Sequence, residues 1–164
     1  MMVKVYLGIG SNLGDRVDNL HRALAAIDAL MTLEELSGVY ETEPKYVLDQ
    51  PAFLNMAVAG NCEMKPEELL ASLKEAEVKI GRVPAAERYG PRAIDLDILF
   101  FGDQVVDQLD LQIPHPLIAE REFVLKPLAD IAPQFRDPLT GRTIAEMLMA
   151  LEIEGEPKAI SVDV

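Results

Sequence analysis

The pattern of apolar and polar residues predicts strands at four places along the chain, over residues 3–9, 34–41, 53–61 and 94–100. Alternation of the two residue classes marks the first, third and fourth of these segments. Because successive side chains of a strand point to opposite faces, each segment can bury one of its faces. We therefore expect four principal strands, and we expect the alternation of the last one to reach Phe100.

Apolar residues at helical spacing predict two helices between these strands. Residues 15–31 and 66–80 each carry an apolar stripe that repeats about every 3.6 residues. Ser11 or Asn12 is available to cap the first helix. In the second helix we expect Glu77 to lie beside the buried stripe rather than within it.

The pattern after the fourth strand predicts smaller elements. A turn at residues 102–103 favours a hairpin from this strand into 104–106, and a further short strand is expected over 109–113. Apolar spacing predicts two more helices, near 119–131 and 143–151.

The order of the elements predicts the fold class. Through residue 101 it is β-α-β-β-α-β, which is typical of an α+β, ferredoxin-like fold with helices packed on an antiparallel sheet. The extra C-terminal hairpin and helices would cover the remaining surface. A chain of 164 residues is most simply a single domain over 1–164, with the role of the tail 152–164 left open.

The charges narrow the classes of partner. The formal net charge is -13, yet three of the eight arginines lie within residues 82–92. A strongly acidic protein lacks the broad basic surface that nucleic acids require, so we expect no nucleic-acid partner and a local phosphate site at these arginines. The chain has no signal pattern, no long apolar run and a single cysteine, Cys62. We expect a cytoplasmic monomer that does not enter a membrane.

Asp95 and Asp97 are the strongest candidates for chemistry. They lie two residues apart at the start of the fourth strand, so both carboxylates point to the same face. One or two carboxylates commonly hold Mg²⁺, which completes its shell with water and phosphate oxygens. Because the arginines of 82–92 immediately precede the pair, the segment predicts a magnesium and polyphosphate site, with a loop that closes over the substrates. The alternative is a solvated aspartate pair beside an exposed basic loop.

Three other patterns have two interpretations each. The glycines from Gly8 to Gly14 resemble a dinucleotide-binding turn only superficially, because their spacing is one residue too long, and close packing is the better interpretation. Phe53 and Asn55 share one face of a strand, where they could bind a planar heterocycle or belong to the core. His115 lies between two prolines and could contact a phosphate or a ribose, or simply lie at the surface.

Several short blocks of sequence follow one another in the order of one known family. The blocks are Gly10-Ser11-Asn12-Leu13-Gly14-Asp15, Tyr40-Glu41-Thr42, Gln50-Pro51-x-Phe53-Leu54-Asn55, Gly81-Arg82, Glu87-Arg88-Tyr89-Gly90-Pro91-Arg92-x-Ile94-Asp95-Leu96-Asp97-Ile98, Ile113-Pro114-His115-Pro116 and Arg121-x-Phe123-Val124-Leu125-x-Pro127-Leu128. Together they cover about residues 5–135, and they resemble the 6-hydroxymethyldihydropterin pyrophosphokinase (HPPK) family of folate biosynthesis.

This resemblance implies transfer of pyrophosphate from ATP to the hydroxymethyl group of 6-hydroxymethyl-7,8-dihydropterin, with AMP as the second product. It implies that Asp95 and Asp97 bind two Mg²⁺ ions and act in catalysis together with Arg82 and Arg92. The residues that it assigns to ATP are Lys74, Glu77, Arg92, Ile98, Leu111, Gln112, His115 and Arg121. Those that it assigns to the pterin are Thr42, Glu43, Pro44, Lys45, Phe53, Asn55 and Phe123. The two phenylalanines would stack on opposite faces of the ring.

The sequence departs from the family pattern at Pro84, Tyr89 and Asp110, where some relatives carry arginine, tryptophan and arginine. Two other classes of function remain open. A ferredoxin-like regulatory module would bind a small ligand without turning over ATP. Another Mg²⁺-dependent phosphotransferase would use a different acceptor. Formation of AMP rather than ADP would distinguish the pyrophosphokinase from such an enzyme.

Overall fold

A computed structural model describes residues 2–43, 46, 49–81, 93–154 and 160–162. In chain order, the elements are β1 (Val3–Ser11), α1 (Arg16–Asp28), β2 (Thr32–Leu36), β3 (Val39–Thr42), β4 (Phe53–Cys62), α2 (Pro66–Ile80), β5 (Asp95–Phe101), β6 (Val106–Gln108), β7 (Leu111–Ile113), a short 3-10 helix (Ile118–Glu120), α3 (Glu122–Ile131), α4 (Ile144–Glu154) and β8 (Ile160–Val162).

One antiparallel sheet forms the centre of the described fold. Its strands follow the order β5-β1-β4-β3-β8, and β2 also pairs with β4. β1 lies between β4 and β5, with its Gly8 opposite Asp97 and its Gly10 opposite Asp95. The two aspartates therefore begin the strand at one end of the sheet, as the sequence predicts.

Helices cover both faces of this sheet. In the core on one face, the buried residues of α1 and α2 are Leu20, Ala23, Ile27, Leu69, Leu73, Ala76 and Ile80. In the core on the other face, those of α3 and α4 are Leu125, Leu128, Ile144, Met147, Leu148 and Leu151. The positions in each helix follow the helical repeat, so each helix presents one apolar stripe to the sheet. The predicted helices 15–31 and 66–80 thus share one face.

The strand predicted over 34–41 is two strands, β2 and β3. Both pair with β4, and the chain between them contains Ser37 and Gly38. Ser37 Oγ accepts a hydrogen bond from Ala57 N (2.8 Å), and Gly38 N donates to Asp130 Oδ2 (3.1 Å). A backbone N–H of β4 and a carboxylate of α3 therefore stabilise the interruption, and alternation of residue types could not reveal it.

A bulge in β5 corrects the predicted alternation through Phe100. Leu7 of β1 pairs with Ile98, and the preceding Tyr6 pairs with Phe100. Leu99 is consequently an extra residue in β5. Both Leu99 and Phe100 join the core beneath α3 and α4, so strict alternation ends at Ile98.

The predicted hairpin from β5 into 104–106 is wrong. β6 pairs with β7 in a separate two-stranded sheet, with Val106 opposite Ile113. Gly102 N, at the end of β5, donates instead to Lys4 O (2.7 Å). The turn after β5 therefore leads the chain away from the main sheet.

The ends of α1 also differ from the prediction. β1 continues through Ser11, and Asp15 caps the helix by accepting a hydrogen bond from Asp18 N (3.1 Å). The helix ends at Asp28, before the predicted boundary at 31.

Among the helices that the structure describes, none is both long and apolar enough to cross a membrane.

Candidate active site

A cavity of about 560 Å³ opens beside the start of β5. Its walls come from β1, β4 and β5, from the chain between β3 and β4, and from the segment that leads into α3. The residues of its wall that matter for chemistry are Gly8, Gly10, Thr42, Tyr46, Gln50, Phe53, Asn55, Lys74, Asp95, Asp97, His115, Arg121 and Phe123.

Asp95 and Asp97 lie on the cavity side of β5, and both are half-buried. Their partners on β1 are Gly10 and Gly8, which also line the cavity. Because glycine has no side chain, β1 places no side chain of its own beside the two carboxylates. The pairing of β1 with β5 therefore leaves both acidic groups at the wall of the cavity.

The oxygen atoms of this pair suit a hard divalent cation. Mg²⁺ is commonly held by one or two carboxylates and completes its octahedral shell with water and substrate phosphate. Within the described parts of the chain, no group of three or more His, Cys, Asp or Glu side chains could hold a metal ion. Two carboxylates at a cavity wall fit an ion that is shared with a phosphate ligand, and Asp95 and Asp97 would hold it.

Glu77 of α2 is buried, which corrects the prediction that it lies beside the apolar stripe. Its Oε2 accepts a hydrogen bond from Leu96 N at 2.7 Å. A buried carboxylate and a buried N–H each need a partner, and here each satisfies the other. Since Leu96 separates Asp95 from Asp97, this contact fixes the backbone between the two carboxylates.

Across β1 from the carboxylates, β4 carries an aromatic ring, Phe53, beside an amide, Asn55. Asn55 Nδ2 donates to Thr42 Oγ1 (2.7 Å), and both residues are buried. A Cβ atom on Gly10 would lie only 2.9 Å from Asn55 Oδ1 and 3.7 Å from Phe53 Cδ1. Glycine at position 10 therefore allows the amide and the ring to lie against β1. A flat apolar surface with a polar edge suits a planar heterocycle.

Phe123 lines the same cavity from the first turn of α3, and Arg121 immediately precedes that helix. The guanidinium carbon of Arg121 lies 5.5 Å from the ring centroid of Phe123 and 5.2 Å from that of Tyr46. Arg121 Nε donates to Tyr46 Oη (3.2 Å), and Tyr46 Oη donates to Glu120 Oε1 (2.8 Å). An arginine that the resemblance assigns to ATP thus contacts the aromatic side of the cavity.

His115 lines the cavity in a fixed orientation. Its backbone N donates to Leu99 O (3.2 Å), and its Nδ1 accepts from Leu117 N (3.2 Å). Burial lowers the pKa of His115 to about 4; the nearby Arg121 acts in the same direction and Asp95 opposes it. The imidazole is therefore neutral at neutral pH, and its protonated Nε2 can donate a hydrogen bond to an anionic ligand.

A second cavity, of about 330 Å³, borders the first and shares Lys74, Asp97 and His115 with it. The predicted ATP residues around this second cavity are Lys74, Glu77, Ile98, Leu111, Gln112 and His115. The structure therefore brings these residues of α2, β5 and β7 together next to one of the two carboxylates.

Some predicted site residues lie outside the described residues. They are Pro44, Lys45, Arg82 and Arg92. The predicted closure of loop 82–92 also concerns residues outside the described ranges. Glu43 is described, and it is an exposed residue at the edge of the first cavity.

Sequence reasoning missed several residues of the cavity wall. Gly8 and Gly10 were interpreted as packing glycines, although they lie opposite the two aspartates. Asn12 Nδ2 donates to Gln50 Oε1 (2.9 Å) and to Pro51 O (3.0 Å), which holds the chain before β4 at the cavity. Only the register of β1 against β5 could have identified the glycines.

Comparisons with known proteins show what this chain is similar to. Residues 6–133 match the family model described as 7,8-dihydro-6-hydroxymethylpterin-pyrophosphokinase (HPPK). The chain is 41% identical over 157 residues to the 2-amino-4-hydroxy-6-hydroxymethyldihydropteridine pyrophosphokinase of Pseudomonas aeruginosa, across 94% of this chain and 96% of that protein. It is 40% identical over 147 residues to the folic acid synthesis protein FOL1 of Dictyostelium discoideum, across 90% of this chain but 22% of that protein.

The fold is also similar to a solved structure, an HPPK-DHPS in complex with substrates. The TM-score is 0.76 at 16% identity, and the likeness covers 95% of this chain and 45% of that one. At this identity the likeness concerns the fold alone. The chain spans about a fifth of the Dictyostelium protein and less than half of this solved chain. Since the family model matches most of its length, the chain belongs to the 7,8-dihydro-6-hydroxymethylpterin-pyrophosphokinase family.

Proposed function

We propose that the protein transfers the terminal pyrophosphate of ATP to the hydroxymethyl group of 6-hydroxymethyl-7,8-dihydropterin and releases AMP. One observation carries the proposal. A single cavity has two carboxylates on β5 and, across β1, an aromatic ring with a polar edge on β4. Phosphoryl transfer depends mainly on positioning and on electrostatic stabilisation, so a site that brings an acceptor and a polyphosphate together meets its main requirement.

The proposed transfer forms one bond to phosphorus and breaks one. The hydroxymethyl oxygen of the pterin attacks the β-phosphorus of ATP, and the bond from that phosphorus to the oxygen bridging to the α-phosphate breaks. The β- and γ-phosphates move to the pterin, AMP leaves, and one proton is released. Bound Mg²⁺ would neutralise charge on the triphosphate as it develops. Asp95 and Asp97 would hold two such ions.

Other residues would position the two substrates. The ring of Phe53, together with Phe123, would stack on the pterin, and Asn55 would bind its polar edge. The neutral His115, with its Nε2 proton, would donate to a phosphate oxygen. Arg82 and Arg92, which lie outside the described residues, would stabilise charge on the transferred group, as the resemblance implies.

The broader predictions from the sequence remain part of this proposal. The strand order β5-β1-β4-β3 supports a ferredoxin-like arrangement. A single domain over 1–164, a monomeric state and a cytoplasmic location are further expectations of the same proposal.

Product identity tests the proposed function. The purified protein is incubated with ATP, Mg²⁺ and 6-hydroxymethyl-7,8-dihydropterin, and the nucleotides are separated by chromatography. We expect AMP and a pterin that is heavier by one pyrophosphate group, in equal amounts.

Control reactions distinguish the proposed pyrophosphokinase from the two other classes of function. Omitting the pterin should stop AMP formation, and replacing Mg²⁺ with a chelator should stop all turnover. ADP as the main product would indicate a different phosphotransferase. Ligand binding without any consumption of ATP would indicate a regulatory module, and either result would contradict the proposal.

A further inference from the structure

Tyr46 makes an unusual set of contacts at the mouth of the first cavity. Its hydroxyl accepts a hydrogen bond from Arg121 Nε (3.2 Å) and donates one to Glu120 Oε1 (2.8 Å). The guanidinium carbon of Arg121 also lies 5.2 Å from the Tyr46 ring centroid. One tyrosine side chain therefore contacts the same arginine through both its ring and its hydroxyl.

These contacts offset the cost of burying the charge of Arg121. Arg121 is only 7% exposed, and a buried guanidinium is costly unless its charge and N–H groups have partners. An aromatic face stabilises a cation, and a hydroxyl can accept from Nε. Burial raises the pKa of the Tyr46 hydroxyl, so it keeps its proton and can donate to Glu120 while it accepts from Arg121.

The contacts also join two walls of the cavity that are distant in sequence. Tyr46 lies between β3 and β4, on the side where Thr42 and Phe53 line the cavity. Arg121 precedes α3 on the opposite wall, and its guanidinium lies 5.5 Å from the Phe123 ring centroid. The arginine is therefore in contact with an aromatic ring from each wall.

We propose that Tyr46 is a positioning residue, which holds Arg121 in place in the cavity wall between Tyr46 and Phe123. This role rests on the proposed function, because it assigns Arg121 to the phosphates of a bound nucleotide. Tyr46 acts through Arg121 and does not touch the reacting atoms. A nucleotide then meets an arginine whose orientation is already set, and this reduces the conformational entropy lost on binding.

The contact itself can be tested without any ligand. The Nε–Hε signal of Arg121 in a ¹⁵N NMR spectrum reports its hydrogen bond to Tyr46, and Arg121→Lys assigns the signal by removing it. Tyr46→Phe keeps the ring and removes the hydroxyl, so we expect this signal to shift and its exchange with water to accelerate. An unchanged signal would overturn the inference.

A double-mutant cycle separates positioning from general structure. We expect Tyr46→Phe to weaken binding of a non-hydrolysable ATP analogue with Mg²⁺ by about threefold to tenfold, as the loss of one hydrogen bond predicts. In an Arg121→Gln background, the same substitution should change the affinity by less than about twofold, because it acts only through Arg121. Tyr40→Phe is the matched control. It removes a tyrosine hydroxyl that bonds to Asp130 (2.8 Å), in a part of the fold that does not line either cavity.

Each outcome of the cycle bears on the inference. Equal affinities of the wild-type protein and Tyr46→Phe would overturn it, as would an equal loss in both backgrounds. A wild-type protein that forms AMP normally while the cycle shows no coupling overturns only this inference. A wild-type protein that neither binds the analogue nor forms AMP overturns the proposed function, and this inference with it.

Discussion

The two ends of the cavity are built by different interactions. At the carboxylate end, backbone pairing fixes Asp95 and Asp97 against β1, and Glu77 holds the peptide between them from α2. At the acceptor end, which lies on the other side of β1 and carries Phe53 and Asn55, pairing of β4 with β1 and β3 has the same role. Here side-chain contacts between segments outside the sheet, such as Tyr46 with Arg121, also build the wall. The carboxylate end therefore depends on the sheet, and the acceptor end depends on the sheet together with individual pairs of side chains.

This difference has energetic consequences. A shift of β5 by one residue would turn both carboxylates away from the cavity. The same shift would turn the buried apolar side chains of β5 out of the core, so it is strongly disfavoured. A single side-chain hydrogen bond contributes only about 0.5–1.5 kcal/mol. We therefore expect substitutions at the carboxylate end to reduce turnover, and substitutions at the acceptor end to reduce affinity.

The largest effect should follow the loss of either carboxylate. Asp95→Asn and Asp97→Asn each remove a charge that would hold Mg²⁺ against the triphosphate, so AMP formation at saturating Mg²⁺ should fall by a factor on the order of 10³ or more. Asp103→Asn is the matched control, because this exposed aspartate lies in the turn just after β5. Circular dichroism monitors the fold. Near-normal turnover in either site variant would contradict the metal assignment.

Glu77 tests whether the backbone between the aspartates must be held. Glu77→Ala leaves Leu96 N without its partner, and we expect kcat to fall about 10–100-fold, as for other groups that orient metal ligands. Glu77→Gln keeps an acceptor oxygen and should retain most of the activity. Glu75→Ala, an exposed neighbour on α2, is the control. Equal activity of the two Glu77 variants would show that this hydrogen bond does not position the pair.

Phe123 tests the acceptor end. Phe123→Ala should weaken pterin binding by about tenfold or more, because it removes both stacking and buried apolar area. Calorimetry in the presence of an ATP analogue measures the affinity. Phe123→Leu keeps apolar volume without a ring and should lose less. An unchanged pterin affinity in the alanine variant would remove Phe123 from the site.

The last prediction concerns pH and stability rather than activity or affinity. The pKa of His115 is lowered from 6.5 to about 4 in the folded protein. Below pH 6.5 the unfolded chain takes up a proton that the folded protein does not bind until the pH approaches 4, so stability falls as the pH decreases through this window. Between pH 7 and pH 5 this group should cost at most about 2 kcal/mol.

Denaturant unfolding of wild type and His115→Gln at both pH values measures the contribution. The variant should lose less stability than the wild type on acidification. His21→Gln, which alters an exposed histidine of α1, is the control. Identical losses in wild type and His115→Gln would contradict a neutral imidazole in the folded protein.

The sequence predicts the parts of the fold that depend on periodicity. The apolar stripes of α1 and α2 are regular, so both helices could be placed, and Asp95 was correctly placed at the start of its strand. The polar contacts that interrupt this regularity could not be predicted. The break at Ser37 depends on Ala57 and Asp130, which are distant in sequence.

The candidate site divides in the same way. Asp95 and Asp97 are recognisable because two residues along a strand share one face. The burial of Glu77 is not, because its partner is a backbone N–H of another element. Gly10 was visible in the sequence, but its role depends on Asn55, which only the sheet brings to within 2.9 Å of its missing Cβ. Tyr46 carried no pattern of its own.

The bulge at Leu99 divides β5 into two parts with different roles. Before the bulge, the register with β1 holds the carboxylates in place. From the bulge onward, the side chains pack in the two hydrophobic cores. A β-bulge can absorb an offset of one residue, so the length of the strand beyond it is not tied to the geometry of the acidic pair. Evolution could therefore vary the turn at Gly102 and the β6–β7 hairpin by insertion or deletion while Asp95 and Asp97 kept their positions.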